Sequence, residues 1–335
     1  MGLTIGNRTN VRGLVVGGLA CILLLPLGLA MNDNLEVAPS AVPLSAASAS
    51  RDAGVSPSKI RVNSDLVVIP VTVTDGKGRV VAGLEKEHFT VYEDKVEQAV
   101  SHFATEAAPA SIAFVFDSSA SMAPKLHKAR EAVDALLKNA NPEDEFCLVQ
   151  FNHRPQLVVG ITRRTDEIQN TLALVRASGA TALLDAIASA MNELKHAHYS
   201  RKAIIIISDG EDNSSQCSVD DLKEAVRGSD ILIYAIGIID ANAHSSYEKS
   251  PGSALLNEIA RQSGGRLFEV NRLKELPAVA SKIGVWLHNQ YILGYSPNNP
   301  GKDGKYRRIE VKLARPKGLP RLHASWRLGY YAPKD

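Results

Sequence analysis

Two nearly unbroken apolar runs, AIIIIS and ILIYAIGI, constrain the fold of this chain more than any other feature. Short continuous runs of this kind are typical of strands that are buried on both faces, as in a parallel sheet. Segments with the helical spacing of apolar residues alternate with such runs, for example PKLHKAREAVDALLKN. The pattern predicts that residues 108–288 form an α/β domain, a doubly wound, mostly parallel sheet with helices on both faces.

One strand of this sheet is expected to run in the opposite direction. The strands EFCLVQF and QLVVGIT are separated only by the turn NHRP. A parallel connection needs a crossover of a dozen or more residues, whereas a short turn joins antiparallel strands. The second strand of this pair is therefore predicted to be antiparallel to its neighbour.

The segments on either side of this domain show strand patterns. Residues 60–105 contain LVVIPVTVT and HFTVYED, and residues 290–331 contain YILGY, YRRIEVKLA and LHASWRLGYY. Three or four short strands are too few for a stable sandwich. We therefore predict that 60–105 and 290–331 together form one β-sandwich, into which the α/β domain is inserted. The residues expected to face inwards are Tyr306, Ile309, Val311, Leu313, Leu322, Ala324 and Trp326.

The N-terminal 30 residues have the pattern of an export signal. Arg8 and Arg12 precede the uncharged, almost wholly apolar run 13–30, and a basic start followed by an apolar core is typical of a signal peptide. The run also approaches the roughly 20 residues that span a bilayer, so cleavage and retention as a membrane anchor both stay open. Residues 31–58, rich in Ala, Ser and Pro, are predicted to be a disordered linker. The protein is expected outside the cytoplasm, as a periplasmic, secreted or membrane-anchored protein.

The charge and cysteine content exclude some classes of function. Lys plus Arg number 38 and Asp plus Glu number 36, whereas a nucleic-acid-binding domain shows a basic excess. Nucleic acid is therefore not expected as a partner. The three cysteines, at 21, 147 and 217, imply no disulfide framework.

Three polar loops at the ends of predicted elements carry the candidate site. The strand IAFVF ends in Asp117, and Ser119 and Ser121 follow at two-residue spacing. Thr181 comes just before a predicted helix, and Asp209 directly follows AIIIIS. Because open α/β sheets bind ligands outside the carboxyl ends of their strands, these five side chains are expected to converge. Carboxylates and hydroxyls are hard oxygen ligands that suit Mg²⁺, with Mn²⁺ as the alternative.

This donor set predicts that the ion keeps an open coordination position. Two carboxylates balance the charge of Mg²⁺, and three hydroxyls add oxygens without adding charge. Because Mg²⁺ takes six oxygens and usually retains waters, a carboxylate from outside can replace a water. The predicted partner is therefore a protein with an exposed Asp or Glu.

Each motif also has a simpler interpretation. Ser121 could cap the first helix of the domain, and Thr181 could cap the helix that follows it. The Asp-Gly pair at 209 could be an ordinary turn. Glu211 and Asp212 could form an acid/base pair for hydrolysis, but no nucleophile elbow or phosphate-binding loop accompanies them. The order of the three motifs favours metal binding, and an enzyme is not expected.

The central domain resembles a von Willebrand factor type A (VWA) domain, and its three loops resemble the metal-ion-dependent adhesion site (MIDAS) of that family. Asp117, Ser119 and Ser121 match the DxSxS element, and Thr181 in GATALLDAI and Asp209 in SDGEDNSS match the other two loops. The resemblance implies that the hydroxyls ligate directly and the aspartates directly or through water. The flanks GLEKEHFTVYED, YILGYSP and GYYAP resemble bacterial VWFA-related exported proteins, which implies export but names no ligand.

The sequence therefore predicts an exported adhesion or protein-interaction protein that binds an acidic partner through Mg²⁺. A structural envelope protein with a vestigial, metal-free site is the main alternative, and a metal-dependent hydrolase is a third. The polar loop 240–252 is a candidate for ligand specificity. The last helix, 273–288, runs directly into YILGY. Because this helix moves in related adhesion domains, it is expected to respond to ligand.

Overall fold

Strands and helices alternate through the middle of the chain, and further strands lie on both sides. The computed structural model describes residues 66–105, 108–239, 251–316 and 318–334. The strands are β1 (Val67–Asp75), β2 (Phe89–Glu93), β3 (Val96–Gln98), β4 (Val100–Ala104), β5 (Ser111–Asp117), β6 (Glu145–Phe151), β7 (Pro155–Thr162), β8 (Lys202–Ser208), β9 (Ile231–Ile238), β10 (Arg266–Val270), β11 (Tyr291–Tyr295), β12 (Tyr306–Leu313), β13 (Leu322–Ser325) and β14 (Gly329–Tyr331). The helices are α1 (Leu126–Leu137), α2 (Thr165–Leu174), α3 (Leu183–Glu193), α4 (Val219–Arg227), α5 (Pro251–Ser263) and α6 (Leu276–His288).

The central sheet has six strands in the order β10-β9-β8-β5-β6-β7. Every neighbouring pair is parallel except β6 and β7, which are antiparallel. The predicted α/β fold with a mostly parallel sheet is thereby confirmed, and the strand after NHRP is antiparallel as expected. The strand order reverses between β5 and β8, so the carboxyl ends of these two strands meet at the switch point.

Helices cover both faces of this sheet because its strands are apolar on both sides. All seven residues of β5 are buried, and its side chains alternate between the faces. Ile112, Phe114 and Phe116 pack in a cluster with apolar residues of α1, α2 and α6. Ala113 and Val115 pack in a second cluster with residues of α3, α4 and α5. The sheet is therefore a rigid layer between two helical layers, with its carboxyl edge carrying the loops.

The flanking segments form two four-stranded sheets, β13-β1-β11-β4 and β14-β12-β2-β3. Each sheet contains strands from both ends of the described chain, paired antiparallel. Ile69 and Leu293 from the first sheet and Val91 and Ile309 from the second belong to one apolar cluster. The two ends of the chain are therefore joined through a shared core.

Strand β12 has the predicted orientation at Ile309 and Val311 but not at its first residue. Arg307, Ile309 and Val311 are buried, whereas Tyr306 is only partly buried and packs against the ring of Tyr331. Since side chains alternate along a strand, Tyr306 lies on the face opposite Ile309, and its prediction as an inward residue was wrong. The buried arginine is possible because it forms an ion pair with Glu93.

The segment LHASWRLGYY is two strands rather than one. β13 pairs with β1, and β14 pairs with β12, so the chain passes from one flanking sheet to the other between them. Trp326 lies at this crossing and donates a hydrogen bond from Nε1 to the carbonyl oxygen of Ile309, 3.1 Å away.

Several predictions fall on residues outside the described ranges. These are the signal or anchor at 1–30, the linker at 31–58, and residues 240–250 of the proposed specificity loop. Within the described ranges, no helix is long and apolar enough to cross a bilayer.

Candidate metal centre

The first loop begins where β5 ends, at Asp117. This carboxylate is fully buried. Its Oδ1 accepts a hydrogen bond from the backbone N–H of Ser119 at 2.8 Å, and its Oδ2 accepts one from the hydroxyl of Ser208 at 2.6 Å. A short 3₁₀ turn, Ala120–Met122, then brings the hydroxyl of Ser121 to 3.1 Å from that of Ser119. The DxSxS residues are therefore held together, and Asp117 connects β5 to the end of β8.

The second loop is hydrogen-bonded to the first. The N–H of Ala120 donates to the carbonyl oxygen of Gly179 at 3.1 Å, and the N–H of Ser178 donates to the carbonyl oxygen of Ser118 at 2.8 Å. Gly179 has a φ of +80°, a conformation that residues with a Cβ rarely adopt. The glycine before Thr181 thus allows this loop to turn back onto the DxSxS loop.

Thr181 lies buried between the second and third loops. Its N–H donates to Oδ1 of Asn213 at 2.9 Å, and its carbonyl oxygen accepts from the N–H groups of Asn213 and Ser214. Helix α3 begins at Leu183, and the N–H of Ala182, the residue before it, donates to the carbonyl oxygen of Asn152 at 2.7 Å.

Asp209 follows β8 and is also buried, with 8% of its surface exposed. Its Oδ2 accepts a hydrogen bond from Nζ of Lys125 at 2.9 Å. Its Oδ1 is buried and has no hydrogen-bond partner among the described residues. The next residue, Gly210, has a φ of +85°, and its N–H donates to the hydroxyl of Ser208. The bond from Gly210 to Ser208 therefore leaves the carboxylate of Asp209 with Lys125 as its hydrogen-bond partner among the described residues.

The structure thus brings the loops of all five predicted residues to one edge of the sheet. The first and second loops are joined through backbone bonds, the second and third through Asn213, and the first and third through Ser208 and Lys125. Sequence reasoning missed these three connecting residues. The position of Ser208, directly before Asp209 in SDGED, was a usable signal. Lys125 and Asn213 have no comparable sequence signal, since their roles depend on contacts between distant loops.

The capping alternatives do not agree with the helix ends. The residue that precedes α1 is Lys125, and the one that precedes α3 is Ala182, and neither helix has a side-chain cap. The hydroxyls of Ser121 and Thr181 are therefore not used as helix caps. Asp212, by contrast, accepts backbone N–H bonds from Leu184 and from the residues two and three positions after it. Its carboxylate is occupied in holding α3, which weakens the hydrolase alternative.

Burial controls the electrostatics of the site. Burial raises the pKa of Asp117 to about 6, against the opposing effect of its hydrogen bonds from Ser119 and Ser208, and the nearby charge of Asp209 adds to the rise. The loops therefore hold one buried carboxylate in a poorly solvated position close to a second one.

The donors fit a hard divalent cation better than a soft one. In the described part of the chain, no three His, Cys, Asp or Glu side chains lie close enough together to hold a metal ion. The five residues at the sheet edge include only two carboxylates, and the remaining donors are hydroxyls. Together with the unpartnered Oδ1 of Asp209, this all-oxygen set is suited to Mg²⁺ or Mn²⁺ and unsuited to Zn²⁺.

The chain thus has an open α/β sheet with buried carboxylates and hydroxyls at its switch point. The model of the von Willebrand factor type A domain matches residues 111–282, just over half of the 335-residue chain. The chain therefore belongs to the VWA family, as its motifs predicted.

Curated relatives match the same part of the chain. Inter-alpha-trypsin inhibitor heavy chain H4 of Bos taurus is 26% identical over 177 residues, which are 48% of this chain and 19% of that protein. An uncharacterized protein of Borreliella burgdorferi is 25% identical over 187 residues, 49% of this chain and 54% of that protein. The chain thus spans about a fifth of the former and about half of the latter.

Solved structures show similarity at the level of the fold. A von Willebrand factor type A protein from Catenulispora acidiphila has a TM-score of 0.47 at 14% identity, covering 81% of this chain and 74% of that one. The hypothetical protein BatB from Bacteroides thetaiotaomicron has a TM-score of 0.42 at 20% identity, and the match covers 53% of this chain and 98% of that one.

Proposed function

We propose that this protein is an exported adhesion or protein-interaction protein that binds an acidic residue of a partner through a divalent cation. Asp117, Ser119, Ser121, Thr181 and Asp209 would hold the ion, which is Mg²⁺ or Mn²⁺. When bound, the cation would supply an open coordination position for a carboxylate oxygen of the partner. The VWA fold is of a protein-interaction type, which supports this class of function.

The observation that carries the proposal is that Oδ1 of Asp209 is buried without a hydrogen-bond partner among the described residues. A buried carboxylate oxygen without a partner loses its water and gains nothing in return, at a cost of about 1–3 kcal/mol or more for a charged group. Oδ1 of Asp209 is such an atom, whereas the oxygens of the neighbouring Asp117 are hydrogen-bonded. A cation beside Asp209 would remove this deficit.

The other residues have supporting roles in the proposed site. Asp117 is held by Ser119 and Ser208, so its carboxylate is fixed before any ion binds. The backbone bonds from Ala120 to Gly179 and from Thr181 to the third loop fix the loops relative to each other. A site that is already assembled loses little conformational entropy when it binds a ligand.

We further propose that the flanking sheets form a β-sandwich that carries the VWA domain. The domain boundaries would be 60–105 plus 290–331 for the sandwich and 108–288 for the VWA domain. The shared apolar cluster of the two sheets supports this arrangement. Phe89 of one sheet and Tyr291 of the other have ring centroids 5.0 Å apart, as expected for facing sheets.

Export is proposed from the pattern of the first 30 residues. Fractionation of cells expressing the full chain, with N-terminal sequencing of the product, tests it. A mature protein beginning near Met31 indicates a cleaved signal, and an intact chain in the membrane fraction indicates an anchor. Recovery of the intact chain in the cytoplasm would contradict export.

A second candidate is a structural envelope protein whose site works without metal. The ion pair between Lys125 and Asp209 favours it, because the lysine ammonium is already a cation at this site. This candidate predicts that the protein is insensitive to Mg²⁺ and to chelator.

Calorimetric titration with Mg²⁺ separates the two candidates. Asp209→Asn keeps the shape of the side chain but removes its charge, so binding seen in the wild type should be lost. Asp220→Asn, at an exposed position at the start of α4, is the matched control and should bind like the wild type. Binding of Mg²⁺ with the same affinity by Asp209→Asn and by the wild type would contradict the metal site. A pull-down from envelope extracts, with and without chelator, then identifies the partner.

A further inference from the structure

Lys125 is a buried cation attached to the loop that carries the proposed metal ligands. It lies between the 3₁₀ turn Ala120–Met122 and the first residue of α1. Its side chain is 10% exposed, that of Asp209 is 7% exposed, and Nζ lies 2.9 Å from Oδ2 of Asp209. Lysine is rarely buried to this degree without a specific partner.

The backbone on both sides of Lys125 is fixed. Its N–H donates to the carbonyl oxygen of Met122 at 2.8 Å, and its carbonyl oxygen accepts from the N–H of Ala129 at 3.0 Å. Because the residue lies only four positions after Ser121, its ammonium group cannot move far from the three loops. Any cation that binds Asp209 therefore has a positive charge close to it.

We infer that Lys125 sets the affinity of the proposed site, so that a divalent cation binds tightly only together with the acidic group of a partner. This inference rests on the proposed function. The two aspartates and Lys125 together carry a net charge of about −1 when ionised. A divalent cation changes this to about +1, and a partner carboxylate then brings it to about zero. Without the lysine, the metal alone would neutralise the site.

The physical reason is that charges in a buried site are weakly screened. Two charges a few ångströms apart near a protein surface interact by several kcal/mol at an effective dielectric constant of about 20. An ammonium group on Oδ2 of Asp209 both competes for that ligand and repels the incoming ion. The lysine therefore acts as a specificity determinant: it repels the metal in both states and attracts the partner's carboxylate, so the metal and the partner bind more tightly together than separately.

The test is a calorimetric titration of the full chain with Mg²⁺ and Mn²⁺, without any partner. Lys125→Met should tighten binding of both ions by about tenfold or more, a change equivalent to about 1.4 kcal/mol. Lys125→Arg keeps the charge and should stay within about threefold of the wild type. Lys128→Met is the matched control, because it removes one charge from the same helix, where Lys128 pairs with Glu131 rather than with Asp209.

Thermal unfolding of the same proteins in chelator and in excess Mg²⁺ is a second measurement. Lys125→Met leaves Asp209 without a counter-charge, so it should lower the melting temperature in chelator. The increase in melting temperature on adding Mg²⁺ should be larger for this variant than for the wild type. If Lys125→Met fails to fold in chelator, Lys125→Gln, which keeps a donor but no charge, replaces it with the same expectations.

The possible outcomes separate this inference from the proposed function. Binding that is equal or weaker in Lys125→Met than in the wild type would overturn the inference and leave the metal site intact. A tenfold increase in metal affinity in Lys125→Arg or in Lys128→Met would overturn it as well, because the charge of Lys125 would then not be what weakens metal binding. If neither the wild type nor Lys125→Met binds metal or gains stability, the proposed function fails and the inference fails with it. Binding by Lys125→Met alone would support the inference in its strongest form.

Discussion

Two of the buried carboxylates in the described part of the chain, Glu93 and Asp209, differ in how well they are satisfied. Glu93, in the flanking sheets, accepts hydrogen bonds on Oε2 from the hydroxyls of Tyr295 and Tyr330, both at 2.8 Å, and on Oε1 from Arg307 at 3.2 Å. Asp209, at the edge of the central sheet, has one lysine on Oδ2 and, among the described residues, no hydrogen-bond partner on Oδ1. Both oxygens of the first carboxylate are therefore hydrogen-bonded, whereas only one oxygen of the second is bonded within the described ranges.

The groups around Glu93 also have further partners of their own. The guanidinium of Arg307 donates to the carbonyl oxygens of Asn299 and Gly301. Burial and the hydrogen bond to Glu93 raise the pKa values of Tyr295 and Tyr330, so both hydroxyls keep their protons at neutral pH. A complete buried network of this kind rigidifies a core, whereas a buried oxygen without a partner calls for an explanation, of which a bound ion is one. The metal proposal supplies that explanation for Asp209.

The largest expected effect follows from breaking the complete network. Arg307→Met leaves Glu93 buried without its counter-charge, which typically costs about 3–5 kcal/mol. Urea denaturation should show this loss equally in chelator and in excess Mg²⁺, because the network is separate from the metal centre. A loss that Mg²⁺ restores would contradict the distinction between the two regions. Arg308→Met, on the exposed side of the same strand, is the control and should change the free energy of unfolding by less than about 0.5 kcal/mol.

The incomplete site should behave in the opposite way. Thr181→Val keeps the buried shape and removes the proposed hydroxyl ligand. A ligand present at about 100 times its Kd stabilises the folded state by about 2.7 kcal/mol, and the variant should lose most of this Mg²⁺-dependent gain. In chelator its free energy of unfolding should be within about 1 kcal/mol of the wild type. Thr171→Val, on α2, is the control and should keep the gain. Full retention of the gain in Thr181→Val would remove Thr181 from the ligand set.

The two regions also differ in how much of their structure could be predicted from the sequence. The fold of the central domain follows from the apolar runs of β5, β8 and β9, whose burial on both faces is a local property of the chain. The antiparallel direction of β7 follows from the length of one turn. The convergence of the three loops then follows from the general rule for open α/β sheets. These steps need no knowledge of individual side-chain contacts.

The buried ion pairs could not be predicted in this way. Glu93 and Arg307 are 214 positions apart, and Lys125 and Asp209 are 84 apart. Nothing in the sequence around Arg307 or Lys125 distinguishes either residue from a charged side chain exposed to solvent. The same difficulty caused the error at Tyr306, since an aromatic side chain is a better guess for a core position than an arginine. Such pairs become visible only when the strands are placed together.

A smaller effect is expected from removing one donor of the complete network. Tyr330→Phe deletes the hydroxyl that donates to Oε2 of Glu93, and a hydrogen bond to a charged group is worth about 1.5–3 kcal/mol. Because the hydroxyl of Tyr295 still donates to the same oxygen, we expect the loss to be at the lower end, about 1.5 kcal/mol. Equilibrium denaturation measures it. Tyr92→Phe, whose ring lies 4.3 Å from Nζ of Lys312 and keeps that contact, should be nearly neutral.

The smallest effect is a dependence of stability on pH at the end of α6. Nε2 of His288 lies 2.8 Å from Oδ2 of Asp144 and Nδ1 lies 2.9 Å from the carbonyl oxygen of Gly284, and the protonated ring donates to both oxygens. Burial lowers the pKa of His288 and the charge of Arg201 also opposes protonation, but the hydrogen bond and charge of Asp144 outweigh them, so the pKa is raised above its usual 6.5. The folded state therefore binds this proton more tightly than the unfolded state does.

The sign of the effect follows from this difference. Stabilisation by His288 is fully present below about pH 6.5, the unfolded value, and is lost as the pH rises through the higher folded value. The free energy of unfolding of the wild type, minus that of His288→Gln, should therefore fall by less than about 1 kcal/mol between pH 5.5 and pH 8.5. A difference that rises with pH would show that the ring is held in its neutral form. Because α6 leads directly into β11 and Asp144 lies just before β6, this contact reports how firmly the end of the last helix is held against the central domain.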